Sequence, residues 1–164
     1  MIYPKKLGIN PLYPQAADFE IIYKDGLSGS GVITKRYFAQ GDLLAMITGE
    51  EVSEILQHTL QIAPDLHLYD PYFSGYFLHS CSPNISLDMN RRTVTALCDI
   101  EAGSFLYMDY AETEDVLFKQ FPCSCGSPSC RLWITGRKET ASAPYAATLT
   151  GSAGLMAEVH AGGY

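Results

Sequence analysis

"YFLHSCSPNISLDM", residues 76–89, places a His, a Cys and a Pro-Asn pair within six positions. The pairing of His79 with Cys81 admits three chemistries: a nucleophile with its base, a metal site, or a loop that shapes a pocket. A catalytic dyad needs side chains that face each other and a third group that orients the base. Residues two apart in a loop seldom face each other, and no orienting acid stands out. Cys81 therefore reads as a metal ligand in a loop that also shapes a pocket.

The second half of that reading lies downstream, in "CSCGSPSC", residues 123–130. Cys123, Cys125 and Cys130 form C-x-C-x4-C, and Gly126 and Pro128 bend the chain between them. Thiolates this close converge on one soft cation, and Zn²⁺ takes four ligands in a tetrahedron. The fourth must come from elsewhere, and Cys81, beside Pro83, is the candidate. Cys98, mid-strand in "RTVTALCDI", reads as a small buried hydrophobe. C-x-C is not the C-x-x-C of a redox pair. The bland alternative is unrelated thiols in a surface turn.

Upstream, "DGLSGSG" separates two expected strands. Glycines let a backbone approach a ligand closely. Alone, this loop is equally a hairpin turn, and it lacks the third glycine of a dinucleotide fingerprint.

The rest of the chain is β-rich, with short β-branched and aromatic runs between Gly, Pro and Asp punctuation. "FEIIYK", "GVITKRYF" and "LLAMITG" read as strands, and "HTLQIAPDLHLYD" as two more. "EEVSEILQH" reads as a short helix with Val52, Ile55 and Leu56 on one face. "RTVTALCDI" alternates like a half-buried strand, "FLYMDY" reads as extended, and "TEDVLFKQF" as one or two helical turns. After Lys138 the composition turns to Ala, Gly and Ser, a tail in which "GLMAEVH" has helical character.

The 164 residues suit one domain with a modest core. Hydrophobic residues are 47% and charged residues 18%, a globular composition. Eighteen acids against eleven bases give a formal charge of −7. That argues against a nucleic-acid partner and suits a lysine-rich one. No run reaches the ~18 apolar residues of a membrane span. "MIYPKKLGIN" has no signal-peptide core, so the expected location is cytoplasmic. Five Cys there read as ligands or free thiols rather than disulfides.

Taken in order, "GSGVIT", "TGE", "HSCSPN", "GSFLYMDY" and "CSCGSPSCR" resemble the SET-domain protein-lysine methyltransferases with a post-SET zinc segment. The short linker before "HSC" is similar to that of compact bacterial members. The resemblance implies a mainly β fold of small curved sheets with few short helices. In it "HSC-x-PN" and "DY" cross as a pseudoknot, and a zinc loop lies at the C-terminal side. It implies a SET domain over 18–120, a post-SET segment over 121–137, and a tail over 138–164. It also implies S-adenosyl-L-methionine and Zn²⁺ as cofactors and a lysine-bearing protein or peptide as substrate. Residue by residue, Ser30 and Gly31 match the glycine-loop positions facing the cofactor. His79 matches the His beside the adenine, and Leu78 occupies the cofactor-contacting position before it. Cys81 matches the Cys that completes the zinc site with Cys123, Cys125 and Cys130. Tyr110 matches the catalytic Tyr, and Trp133 falls where the pocket closes.

Three positions depart from the family pattern. Leu78 stands where an Asn is usual, Ile47 where a Tyr is usual, and Met108 where an aromatic influences how many methyls are added. By strand parity Met108 shares the face of Tyr110 and lines the lysine channel, with more than one methyl per lysine expected, while Tyr107 is core packing. Two alternatives stay open beside the enzyme. One is a weak or inactive SET-like module that binds cofactor or a basic peptide. The other is a zinc-organised interaction domain.

Overall fold

The computed structural model describes residues 1–142. The helical expectation for 154–160 and most of the tail fall outside the described residues. β1 (Phe19–Asp25) and β2 (Gly29–Thr34) form an antiparallel hairpin, with Phe19 opposite Thr34 and Ile22 opposite Gly31. Its turn is held by Asp25, whose Oδ1 accepts the backbone N–H groups of Leu27 and Ser28, and by Gly29 at φ +72°. An Asx turn followed by a left-handed glycine is chemistry these residue types favour.

Two three-stranded antiparallel sheets follow. β3 (Leu43–Met46), β9 (Thr93–Ala96) and β8 (Ile85–Asp88) form one. β4 (Glu50–Val52), β6 (Leu66–Tyr69) and β5 (Thr59–Ala63) form the other. The inward faces meet in one core that includes Val32, Leu68, Ile85, Val94 and Leu106, all 0% exposed. Phe19 stacks on Phe38 at 5.5 Å, and Phe73 packs edge-on against Phe19 and Phe77, each at 5.1 Å. Each such side chain contributes ~1.5–3 kcal/mol when fully buried. Tyr3 belongs to this core too, so the packed unit extends N-terminal to residue 18.

One buried charge organises the approach to the site. Asp70 is 0% exposed and accepts hydrogen bonds from the Tyr3 and Ser74 hydroxyls and from the N–H groups of Tyr72, Phe73 and Ser74. A carboxylate so supplied with donors tolerates burial. It pins the 3-10 turn Ser74–Tyr76, which delivers the chain into β7 (Leu78–His79).

β7 pairs in parallel with β10 (Tyr107–Met108), Leu78 opposite Tyr107 and His79 opposite Met108. The following loop then crosses the β10 segment. Asn84 Nδ2 donates to the Phe105 carbonyl, its Oδ1 accepts Tyr107 N–H, and its own N–H donates to the Tyr107 carbonyl. This is the lacing expected of the Pro-Asn. α1 (Tyr110–Thr113) leaves β10 directly, and β11 (Phe121–Pro122) and β12 (Trp133–Ile134) close the order as a small hairpin.

Four local expectations are corrected. Residues 50–58 hold no helix: Glu50–Val52 pairs with β6, and the sheet claims those backbone groups. The helical turn near residue 113 is the four residues of α1 rather than "TEDVLFKQF", because Asp109 caps it by accepting Ala111 N–H. "FLYMDY" is extended only through Met108. Cys98 is exposed rather than buried, since β9 ends at Ala96 before the chain turns to bridge Ile100 with Phe38.

Candidate active site and metal centre

A cleft of about 1130 Å³ runs between the β1–β2 turn, β7, α1 and the β11 segment. Gly29, Ser30, Leu78, His79 and Tyr110 are among its walls. The volume exceeds the ~300–1,000 Å³ of an ordinary small-molecule site, so it has room for a cofactor and part of a second molecule.

Tyr110 opens α1. Its hydroxyl donates to the Phe77 carbonyl at 2.9 Å, and its N–H donates to His79 Nδ1 at 3.3 Å. Burial, reinforced by the nearby Glu114 carboxylate, raises the phenol well above its ordinary range, so it stays protonated. Burial lowers His79 to about 4, with Asp109 acting in the opposite sense. The neutral imidazole accepts at Nδ1, which puts its proton on Nε2, 3.4 Å from Cys81 Sγ. Contrary to expectation, His79 does face Cys81, and an acid, Asp109, stands 3.8 Å from Nδ1. With Nδ1 accepting Tyr110 N–H, however, the protonated Nε2 faces the sulfur, so His79 in this tautomer is no base for Cys81.

Beyond His79 the four thiols converge. The Sγ atoms of Cys81, Cys123, Cys125 and Cys130 all lie within 4.8 Å of one another, with Cys81 and Cys123 at 4.0 Å. A Zn–S bond of ~2.3 Å in a tetrahedron sets the sulfurs ~3.8 Å apart, and a disulfide needs ~2.05 Å. Arg131 N–H donates to Cys81 Sγ and Leu132 N–H to Cys130 Sγ, bonds that favour thiolates. Burial pushes the Cys123 thiol up, while at Cys125 burial is outweighed by hydrogen bonds from neighbouring groups, which draw it down. Four thiolates this close repel one another unless a cation lies between them. The donor set fits Zn²⁺. Arg131 also pairs with Asp109, the cap of α1, which clamps the cysteine loop onto the cleft. Sequence reasoning missed this clamp, although Asp109 and Glu112 stand at capping-box spacing.

No protein-family profile matches the sequence, and no curated protein matches it. Solved structures do. The crystal structure of KRYPTONITE in complex with mCHG DNA and SAH superposes with a TM-score of 0.58 at 22% identity, over 70% of this chain and 28% of that one. KRYPTONITE with mCHH DNA, H3(1-15) peptide and SAH gives 0.56 at 21%, over 70% and 29%. The methyltransferase domain of human histone-lysine N-methyltransferase SETMAR gives 0.57 at 17%, over 72% and 58%. The fold is the SET-domain fold. The chain spans under a third of KRYPTONITE and little over half of the SETMAR domain.

Within this SET fold the expected site residues divide. Ser30, Leu78, His79 and Tyr110 line the cleft. Gly31 instead lies beneath Leu78: a Cβ there would sit 2.7 Å from Leu78 Cδ1 and 3.0 Å from Phe105 Cδ1. Its bareness seats the Leu78 side chain. Gly31→Ala is expected to cost ~1–3 kcal/mol by overpacking, read as a lower midpoint in urea denaturation; an unchanged midpoint would refute the seating. Trp133 is held in the β11–β12 hairpin, its Nε1 donating to Gln120 Oε1, and the cleft wall there is Phe121 and Pro122.

Met108 and Tyr107 exchange the places expected of them. Met108 is 1% exposed in the core, whereas Tyr107 lines the cleft with Lys24 Nζ 5.2 Å from its ring centroid. Parity failed because α1 begins at Tyr110, so Tyr110 no longer follows the alternation of the strand. Met108→Tyr is therefore expected to cost ~1–3 kcal/mol of stability, measured by thermal denaturation, rather than to change methyl number. A variant that melts like the wild type would return residue 108 to the channel.

Proposed function

We propose that this chain is an S-adenosylmethionine-dependent methyltransferase that acts on a lysine side-chain amine of a protein. The observation that carries the reading is Tyr110. Its hydroxyl proton is engaged by the Phe77 carbonyl, at the wall of a cleft with room for a cofactor and part of a second molecule. The phenol thus offers an incoming amine only an acceptor lone pair, which orients an N–H and with it the nitrogen lone pair.

The cleft fits the cofactor: a glycine-turn wall, apolar Leu78, neutral His79 and aromatic Phe121 make a concave, mostly uncharged lining. Bound there, S-adenosylmethionine would supply a methyl group on a sulfonium. The chain's own residues supply placement. A free lysine has a pKa of ~10.4 and arrives protonated; burial in this cleft favours its neutral form. Neutral Tyr110 is no base, so its contribution is alignment, a class of effect worth up to ~7–11 kcal/mol. The four cysteines would hold Zn²⁺ and so keep Phe121 and Pro122 in place as a wall.

SAH and the H3(1-15) peptide in KRYPTONITE agree with this pairing of cofactor and lysine-bearing tail. The charge of −7 favours a basic partner over DNA. No helix among the described residues is long and apolar enough to cross a membrane, and we place the reaction in the cytoplasm. Apolar Leu78 supports a second reading, a cofactor-binding module of low activity. Calorimetry with S-adenosylmethionine and transfer of labelled methyl to a lysine-rich protein pool test both. Binding with transfer supports the enzyme, binding alone the module, and neither leaves a zinc-organised interaction domain.

A further inference from the structure

Glu114 ends α1 four residues after Tyr110, and its N–H donates to the Tyr110 carbonyl at 2.9 Å. Side chains four apart on one helical turn share a face, and both of these line the cleft. Glu114 is 6% exposed. Its Oε1 accepts Gln61 N–H from β5 at 2.9 Å, which fixes the carboxylate against the cleft wall. Arg137 acts on Glu114 only through space, since it and Lys138 both pair directly with Asp115. Among the described residues Glu114 makes no ion pair. Buried carboxylates are normally matched by a cation or by several donors. Burial accordingly pushes its pKa upward.

We infer that Glu114 is the counter-ion for the acceptor's ammonium group, a specificity-determining residue that admits a cationic side chain to the cleft beside Tyr110. This rests on the reading of the cleft as a methyl-transfer site. The pairing acts on the charged form, before the amine loses its proton. It therefore strengthens acceptor binding, and by the same charge it opposes the loss of the proton that burial favours. Glu114→Gln keeps an oxygen for Gln61 N–H and removes only the charge.

The test uses the full chain saturated with S-adenosylhomocysteine and two probes, the peptide acetyl-Ala-Lys-Ala-amide and its norleucine counterpart, titrated by NMR. The wild type is expected to prefer the lysine peptide by about tenfold or more, as charge-assisted bonds do. Glu114→Gln should abolish the preference, and Glu114→Asp should keep part of it. With a methylated acceptor in hand, Glu114→Gln should raise KM about tenfold without lowering kcat, since the bound amine then loses its proton more readily. A lysine preference that survives in folded Glu114→Gln overturns the assignment and leaves the methyltransferase reading intact. Equal affinities, or no binding, for the two peptides in the wild type overturn it without any variant. Failure to bind S-adenosylhomocysteine overturns the methyltransferase reading. The peptide comparison is then made on the chain alone, where equal affinities sink the Glu114 assignment as well.

Discussion

Tyr110→Phe is expected to lower the methyl-transfer rate by ~10²-fold or more, the scale of losing a positioned polar contact in a preorganised site. The substitution deletes one oxygen and keeps the ring, which packs against His79 at 5.2 Å and Phe121 at 5.8 Å. The hydroxyl has one structural bond, to the buried Phe77 carbonyl at 2.9 Å. Leaving that carbonyl unpaired costs ~1–3 kcal/mol, a modest fall in melting temperature. The helix start is unaffected, because Tyr110 N–H still reaches His79 Nδ1 and Asp109 still caps α1. Affinity for S-adenosylmethionine should therefore change little while kcat falls. Single-turnover methylation followed by mass spectrometry, with calorimetry on the same preparation, separates the two quantities. Turnover equal to wild type in Tyr110→Phe would remove Tyr110 from the chemistry.

Loss of the metal is expected to have the second large effect. The purified chain should carry one Zn²⁺, and Cys81→Ser should lower that content sharply. The exposed Cys98 lies outside the cluster, so Cys98→Ser should keep the metal. The consequence reaches the cleft because the segment after residue 120 has little core of its own. Ile134 is its one hydrophobic residue in the buried core among those described, and β11–β12 pairs over two residues each. Structural zinc contributes ~10–16 kcal/mol in small metal-folded peptides, more than such a hairpin could replace. Chelation should abolish hydrogen-exchange protection across residues 121–137. It should also weaken cofactor binding, since Phe121 and Pro122 are cleft walls and Arg131 clamps Asp109. Full zinc occupancy in Cys81→Ser would refute the four-cysteine set.

Strand existence and the cysteine cluster were legible in residue order, because they depend on local chemistry: β-branched alternation and thiol spacing. The crossing of "HSCSPN" with the "DY" segment followed only from the family resemblance, and the Asn84 bonds that make it are seen only in the fold. The match of "GSFLYMDY" to the family motif pointed to Tyr110. It could not say how Tyr110 is used, because the Phe77 and His79 partners lie 33 and 31 residues away. The reading of 50–58 as helix failed for the same reason: Glu50–Val52 has a helical pattern, but its backbone is taken by β6, a partner with no trace in the local sequence. Met108 and Tyr107 turned on a single backbone event, the start of α1 at Tyr110, which ends the two-residue period that parity assumes. Glu114 is the clearest case. An acid in "AETEDVLF" is not set apart by local sequence from its neighbours, the exposed Glu112 and the ion-paired Asp115. What sets it apart is that β5 folds over it, donates Gln61 N–H to it, and leaves its charge in a wall of the cleft. Burial is a property of packing between distant segments, and no residue carries it in its own identity.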